Sequence, residues 1–219
     1  IKNEKLKIEK TLKKYKIKRP YILFVGTIQP RKNLEKLIQA FALLAKSKEQ
    51  RAKNNSERYA LGPLQLVIVG KLGWLYDEIL QAPKRFGIEK KVKFLNYIQD
   101  SDLPYIYAGA EVFVLPSLVE GFGLPVLEAM AAGIPVLVSN RTSLPEVGGN
   151  AAIYFNPQNS QEIAQAILQV LTNPKLRKDL VEKGKKQVAK FSWEKTAAQT
   201  LRVFERVYSE RTGTKKYLW

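Results

Sequence analysis

Hydrophobic residues follow two patterns along the first 155 positions of this chain. Short, continuously apolar runs predict strands at residues 21–25, 64–69, 92–95, 112–115, 135–139 and 152–155. Between them, apolar residues at helical spacing predict helices at residues 34–45, 74–86, 101–108 and 124–132. Apolar strands that alternate with helices are typical of a parallel sheet covered on both faces. The pattern therefore predicts an α/β fold with a doubly wound, Rossmann-like parallel sheet.

The pattern becomes helical after residue 156. Asn159, with Glu162 three positions later, has the spacing of a capping box and predicts a helix to about residue 171. Pro174 begins another helix, and Ser192 would cap the last one. An apolar stripe on this last helix is expected to pack on the parent sheet or on a neighbouring domain. Residues 46–63 are polar and aperiodic, which predicts a long surface loop with or without a short helix.

Composition narrows the chemistry that this chain can perform. With 219 residues, of which 45% are hydrophobic, it can bury a substantial core. It contains no Cys and no His. Disulfides, thiolate metal sites and nucleophile–histidine arrangements are therefore excluded, and a reducing compartment is consistent with the composition. Chemistry must rely on carboxylates, Lys, Arg, Tyr, hydroxyls and backbone dipoles.

The net charge of +17 is concentrated in lysine-rich segments. Residues 1–19 contain nine Lys or Arg and two Glu, and residues 175–190 hold a second cluster. Solvated helix faces are the first interpretation of these runs, and contact with an anionic membrane surface or an acidic partner is the second. Nucleic-acid binding is disfavoured because no aromatic binding motif accompanies the lysines.

Two glutamates flank a glycine-containing loop between two predicted strands. Within residues 115–138 the order is strand end, loop, helix and strand, with Glu120 in the loop and Glu128 in the helix. Open α/β folds bind ligands at the carboxyl ends of their strands, so this loop is the first candidate site. Gly121 and Gly123 let a ligand approach the backbone, and the helix that follows has free amides for hydroxyl or phosphate oxygens.

The two carboxylates have competing interpretations. A glycosidase uses such a pair as acid and base, but a loop residue and a helix residue need not face one bond. The interpretation favoured here has each accept hydrogen bonds from a pair of hydroxyls, Glu120 from a sugar ring and Glu128 from a ribose. A helix-dipole role would account for Glu128 alone.

Two adjacent cations, Arg31 and Lys32, follow the first predicted strand. Gly26 permits a tight turn there, and the cations precede a helix N-terminus, an arrangement that suits a diphosphate. A basic loop that caps the helix through Asn33 is the alternative. The glutamate loop is expected at the same sheet edge, which favours the diphosphate interpretation.

Two further segments end predicted strands at this edge. Gly70 could line the same cleft, and the backbone around Tyr97 and Ile98 could pair with a nucleobase edge. A plain turn is an equally good interpretation of each segment. Asp102 or Ser101 is expected to cap the helix that follows.

Together these motifs resemble the C-terminal half of GT-B glycosyltransferases, and among them family 4, or group 1, with its bacterial mannosyltransferase-like members. The resemblance covers about residues 5–210. It is carried by Gly-Thr-Ile-Gln-Pro-Arg-Lys-Asn at 26–33, Val-Ile-Val-Gly at 67–70, the turn at 94–103, Glu-Gly-Phe-Gly-Leu-Pro-Val-Leu-Glu at 120–128 and Phe-Ser-Trp-Glu at 191–194.

The resemblance implies a nucleotide-sugar donor site. Arg31 and Lys32 would bind the diphosphate and stabilise its growing charge, and Glu120 would bind the donor sugar; these three carry the implied catalytic roles. Glu128 would bind the ribose. The implied binding set is Gly26, Thr27, Arg31, Lys32, Gly70, Tyr97, Ile98, Glu120, Gly121, Phe122, Gly123, Leu124 and Glu128.

The resemblance also implies the reaction and its partners. A hexose, mannose from GDP-mannose or the sugar of a UDP-sugar, would be transferred with retention to a glycan, a lipid-linked acceptor or another acceptor. No cofactor and no metal are implied, and no nucleic-acid partner is expected. The implied location is the cytoplasm, with peripheral contact at the inner membrane as an option. A non-catalytic nucleotide-binding or interaction module is the alternative.

Two departures from the family pattern are visible. Many relatives carry Arg or Lys where this chain has Thr27 and Ile28, and the family's N-terminal acceptor domain, with its catalytic His, is absent from these residues. Ile1 in place of Met indicates a piece of a longer protein, which should bind donor but transfer poorly. The expected division is residues 1–19 as a basic interdomain helix or linker, 20–191 as the nucleotide-sugar domain, and 192–219 as a C-terminal helix and tail that packs toward the absent domain.

Overall fold

A computed structural model describes residues 2–53 and 63–213 of the chain, and its strands form one parallel sheet. The strands are β1 Tyr21–Val25, β2 Gln65–Val69, β3 Val92–Leu95, β4 Val112–Leu115, β5 Val136–Ser139 and β6 Ala152–Phe155. Their order across the sheet is β3-β2-β1-β4-β5-β6, and neighbouring strands pair in parallel. The predicted α/β fold with a doubly wound sheet is confirmed, and each predicted strand is present to within one residue.

Helices cover both faces of this sheet. They are α1 Lys2–Lys14, α2 Leu34–Lys53, α3 Asp77–Arg85, α4 Leu103–Gly109, α5 Leu124–Ala131, α6 Leu144–Gly148, α7 Ser160–Thr172, α8 Pro174–Val188 and α9 Trp193–Thr212. Helices α1, α4, α5 and α8 contact one another in that order, and α3, α2 and α7 form a second row. Right-handed crossovers explain the two rows, because the chain runs outward from β1 in one direction and from β4 in the other.

Some predicted boundaries were wrong. Helix α2 continues to Lys53, so residues 46–53 are helical rather than loop, while residues 54–62 of that predicted loop lie outside the described residues. Lys, Glu, Gln and Arg are good helix formers, so this extension follows from helix propensity and was not visible as an apolar period. Helix α3 begins at Asp77 rather than near residue 74. The five-residue α6 was not predicted, because it is too short to show a period.

Two of the three predicted helix caps are present. Asn159 Oδ1 accepts from the backbone N of Gln161 and of Glu162 at 3.1 and 3.2 Å, and Ser192 Oγ accepts from Lys195 N at 3.2 Å. In a full capping box, the Glu162 carboxylate would accept from the backbone N of Asn159. It accepts instead from Asn156 N, at 2.9 Å.

Asp102, at the start of α4, does not cap its helix through its side chain. Its carboxylate instead accepts from Lys14 Nζ at 2.7 Å and from the Tyr15 hydroxyl at 2.9 Å. These bonds, that from Lys14 foremost, lower the pKa of Asp102, and the bond to Asp102 raises the pKa of Lys14. They connect the end of α1 to α4, and Leu12 of α1 is buried against the core.

The apolar stripe of α9 does not pack on the parent sheet, which was one of the two predicted alternatives. Trp193, Leu201 and Phe204 are exposed by 74%, 56% and 66%, and no residue of α9 is buried. Contact with a neighbouring domain stays a prediction.

The described helices are all too short or too polar to cross a bilayer.

Candidate functional site

The switch point of the sheet lies between β1 and β4, where the strand order reverses. Loops leaving neighbouring strands at such a point diverge to opposite faces and leave a crevice, the usual ligand site of open α/β sheets. Here two hydrogen-bonded contacts join the loops: Asn33 Nδ2 donates to Pro116 O at 3.1 Å, and Leu118 N donates to Arg31 O at 2.9 Å. The motif after β1 and the glutamate loop after β4 therefore lie side by side, as expected from their shared sheet edge, and together they form the candidate site.

Glu120 is the centre of a cluster of polar side chains in this crevice. Its Oε1 accepts from Lys32 Nζ at 2.5 Å and from Ser117 Oγ at 2.6 Å. Its Oε2 lies 3.4 Å from Arg31 Nη1. The Lys32 and Glu120 side chains are each 8% exposed, whereas that of Arg31 is 42% exposed. The two predicted cations thus contact the predicted sugar-binding carboxylate directly.

Arg31 has two further partners. Its Nη1 donates to Val119 O at 3.0 Å, and Gln29, which is 2% exposed, accepts from Nε at 2.6 Å with its amide oxygen oriented toward the guanidinium. These bonds hold the guanidinium over the glutamate loop. Gln29 and Ser117 were not among the predicted site residues, because neither type of residue is distinctive without its partner.

Glu128 has a separate partner, Tyr107 of α4. The Tyr107 hydroxyl donates to Glu128 Oε2 at 2.7 Å, and its ring lies 5.7 Å from that of Phe113. Tyr107 is 2% exposed, whereas Glu128 is exposed to solvent. Burial, foremost, and the charge of Glu128 raise the pKa of Tyr107, so the phenol stays protonated and donates. Tyr107 was not among the predicted site residues.

The two glycines of the loop have different surroundings. Gly123 has a φ of +106°, and an added Cβ would lie 2.8 Å from Leu144 Cδ2, so the fold itself favours glycine there. At Gly121 an added Cβ would meet nothing within 4 Å. Protein packing thus leaves open space beside Gly121. Phe122, between them, packs edge-on against Phe191 at 5.8 Å, and Leu124 is 46% exposed.

Gly26 and Gly70 lie against each other where the loops after β1 and β2 run side by side. Gly26 N donates to Val69 O at 2.9 Å, and a Cβ on Gly70 would lie 1.9 Å from Gly26 O. Thr27, which follows Gly26, is exposed. The glycine at position 70 therefore has a packing requirement of its own, in addition to the predicted role in lining the cleft.

The turn after β3 lies farther from the switch point, since β3 is two strands away from β1. Tyr97 is 62% exposed, with Lys71 Nζ 5.6 Å from its ring centre, and the Ile98 side chain is 5% exposed. The turn borders another part of the same sheet edge.

In the described part of the chain, no three carboxylate side chains form a group that could hold a metal ion. The charged groups of the site are two cations and two carboxylates, with backbone amides beside them. The cations and amides can donate to an anionic ligand, and the carboxylates can accept from its hydroxyls.

A doubly wound domain with charged loops at its switch point has the architecture in which open α/β sheets bind their ligands. Residues 7–187 match the family model described as glycosyl transferases group 1. The chain belongs to this family.

Relatives agree with this assignment. The chain is 40% identical over 195 residues to the O-antigen chain mannosyltransferase B of Escherichia coli, covering 89% of this chain and 48% of that protein. It is 37% identical over 209 residues to the serotype-specific mannosyltransferase WbdA of the same species, covering 95% of this chain and 24% of that protein. The chain thus spans about half, or less, of the length of these curated relatives.

Among solved structures, the C-terminal domain of a group 1 glycosyl transferase, LpcC, from Francisella tularensis has a TM-score of 0.67 at 26% identity. The similarity covers 83% of this chain and 90% of that one. Anabaena HepE, solved with UDP and glucose, has a TM-score of 0.75 at 21% identity, covering 90% of this chain and 52% of that one, and supports the fold.

Proposed function

We propose that this chain is the donor-binding half of a retaining glycosyltransferase that moves a hexose from a nucleotide sugar to a glycan or lipid-linked acceptor. The observation that carries the proposal is the position of Glu120, which lies at the switch point between the cation pair and the glycine loop. Mannose from GDP-mannose is the favoured donor, since two relatives are named mannosyltransferases. A UDP-sugar is the alternative, and the solved complex of HepE with UDP supports nucleotide binding by the fold.

Each half of the donor then has its own groups. Arg31, with its exposed guanidinium, and Lys32 would bind the diphosphate and stabilise the charge that grows there as the glycosyl bond breaks. Glu120 Oε2 would accept from a sugar hydroxyl, because Oε1 already has two donors at 2.5 and 2.6 Å. The amides of Gly121, Phe122 and Gly123 would contact the sugar as well.

The nucleoside would extend toward α5 and β3. Glu128 is exposed, and its Oε1 would accept from a ribose hydroxyl while Oε2 accepts from Tyr107. The backbone at Tyr97 and Ile98 would pair with the base. No cofactor and no metal enter this scheme, because the charges at the diphosphate position are supplied by side chains.

The acceptor would bind to a part of the protein outside this chain. The exposed apolar stripe of α9 is the surface that we expect to contact that part. The lysine-rich helices α1 and α8 are the two ends of one row of helices, α1, α4, α5 and α8, so we also propose peripheral contact of this face with the cytoplasmic face of the inner membrane. Vesicles with and without anionic lipid would test this contact; equal partitioning onto both would contradict it.

Calorimetry with GDP, UDP, ADP, GDP-mannose and UDP-glucose tests the donor site. We expect one base to be preferred, its nucleotide sugar to bind, and Arg31→Gln to weaken both ligands. The matched control is Arg202→Gln on the exposed α9, which should leave binding unchanged. Absence of binding by every ligand at millimolar concentration would reject the proposal. Binding of nucleotides with no added contribution from any sugar would favour the non-catalytic module.

Replacing Tyr107 with Phe should weaken nucleotide binding while preserving the fold. The ring keeps its packing, but Glu128 loses the donor that orients it, for which we expect about a fivefold rise in Kd, or ~1 kcal/mol. Against the 2′-deoxy or the 3′-deoxy nucleotide the same substitution should have little effect, since Glu128 then lacks a ribose partner.

Tyr154→Phe is the matched control for this prediction, because it removes a hydroxyl that donates to Gly149 O at 2.6 Å on β6. An equal loss with ribose and both deoxyribose ligands would show that Tyr107 does not act through Glu128.

A further inference from the structure

A second loop, between β5 and α6, is bonded to the backbone of the glutamate loop. Thr142 Oγ1 accepts from Glu120 N at 3.1 Å. Ser143 Oγ lies 3.1 Å from Glu120 O and 2.9 Å from Phe122 O, sharing its proton between the two carbonyls. Two neighbouring hydroxyls thus bind three backbone groups of a loop more than twenty residues earlier in the chain.

The planarity of the peptide bond gives these contacts a directional consequence. In a trans peptide the carbonyl of one residue and the N–H of the next lie in one plane and point in opposite directions. When Ser143 holds the carbonyls of Glu120 and Phe122, it therefore sets the directions of the N–H groups of Gly121 and Gly123. Both point away from Ser143.

Little else fixes the amide of Gly121, whereas Gly123 is buried beside Leu144. Gly121 has no side chain and has open space on the side where one would be, so its backbone is not restrained by its own packing. Phe122 contacts Phe191 through its ring, which restrains the side chain more than the peptide planes beside it. The hydroxyl of Ser143 contacts the carbonyl oxygens of Glu120 and Phe122, and so it restrains the two peptide planes directly.

The conformation of the second loop is also unusual. Thr142 has a φ of +53°, which is unfavourable for a β-branched residue and is common in glycine. A residue keeps such a conformation when its surroundings over-determine it. The bond between Thr142 Oγ1 and Glu120 N is one such determinant, and it places Ser143 beside the two carbonyls.

We propose that Ser143, placed by Thr142, is a positioning residue for the donor sugar, which it orients through the amides of Gly121 and Gly123. This inference rests on the proposed function, in which those amides contact the sugar. Ser143 itself need not contact the ligand. Its contribution belongs to the glycosyl half of the donor and not to the nucleotide half.

The experiment compares a nucleoside diphosphate with its nucleotide sugar, using the base that the chain prefers. Ser143→Ala should raise the Kd of the nucleotide sugar about five- to tenfold, because one or two oriented amides are lost. The Kd of the nucleoside diphosphate should change less than about twofold, since its groups lie elsewhere. Ser143→Thr retains the hydroxyl and should restore sugar binding.

Ser209→Ala is the matched control, because it deletes a hydroxyl that donates to Arg206 O at 2.9 Å within α9. Thr142→Gly provides a second variant that should fold, since glycine adopts this φ without strain; it lacks the acceptor for Glu120 N and should also lose sugar affinity selectively.

The outcomes are separable. If Ser143→Ala and Thr142→Gly lose equal affinity for both ligands, or lose no affinity for the nucleotide sugar, the inference is overturned. The proposal that the chain binds a nucleotide sugar would then still hold. Failure of the unaltered chain to bind either ligand would reject the proposed function and this inference with it. A selective loss of sugar affinity that Thr restores at position 143 is the supporting result.

Discussion

Glu120→Ala should both destabilise the protein and abolish its preference for a sugar-bearing nucleotide. Lys32 is 7% exposed, and without Glu120 its ammonium is left buried and unpaired, which costs about 3 kcal/mol of unfolding free energy. The lost carboxylate–hydroxyl bond should weaken nucleotide-sugar binding by at least about tenfold. Urea denaturation and calorimetry on the same preparations measure the two effects.

A double variant separates stability from binding. Glu120→Gln with Lys32→Met removes both charges, and the free energy of unfolding should return to within about 1 kcal/mol of the unaltered chain. Sugar binding should stay lost. Asp179→Ala is the control, because it breaks an exposed ion pair with Lys183 that contributes less than about 1 kcal/mol. Normal stability in Glu120→Ala, or normal sugar binding in the double variant, would contradict this account.

Gly70→Ala should be among the most destabilising single substitutions in the described part of the chain. The φ of Gly70 is +154°, and the new Cβ would lie 1.9 Å from the carbonyl oxygen of Gly26. The obstacle is backbone, so no side-chain rotation relieves it, and we expect a loss of about 3 kcal/mol or more. The loops after β1 and β2 would separate, and the cation pair that follows Gly26 would move with them.

Gly87→Ala is a closely matched control for this substitution. Gly87 also has a positive φ, +71°, but an added Cβ would meet nothing within 4 Å. It should therefore cost only the conformational strain, about 1 kcal/mol. Thermal denaturation of both variants, with nucleotide titration of each, is the measurement. Similar melting temperatures for the two variants would show that the contact between Gly70 and Gly26 is not tightly packed.

Much of the fold was predictable because its signals are local. A strand that is buried on both faces is apolar at each position, as in β1 and β4. Such a run predicts a strand even when the neighbouring strands of the sheet are unknown. The caps at Asn159 and Ser192 were predicted for the same reason, since their partners lie within three residues. Asp102 shows the limit of local signals. Its side chain bonds to Lys14 of α1, more than 80 residues away, so the predicted cap at Asp102 was wrong.

The site was predictable in its residue types and in its position at the sheet edge. Spacing located Glu120, Glu128 and the Arg31–Lys32 pair, whose chemical character is evident from the residues alone. The structure confirms that Glu120 and the cations meet, while the roles of the individual residues stay proposals. Gln29, Ser117 and Tyr107 could not be identified, because an isolated Gln, Ser or Tyr has many uses.

By itself, the sequence determined the α/β class, the strands, most helices and the chemical groups available at the carboxyl edge of the sheet. These properties depend on burial periodicity and residue type, which are carried by neighbouring positions. The tertiary structure decided that β1 lies beside β4, that Lys32 pairs with Glu120 across 88 residues, and that Ser143 meets the glutamate loop. Such contacts arise from strand order and loop packing, which bring together residues that are far apart in the sequence. No local pattern around either residue indicates its partner.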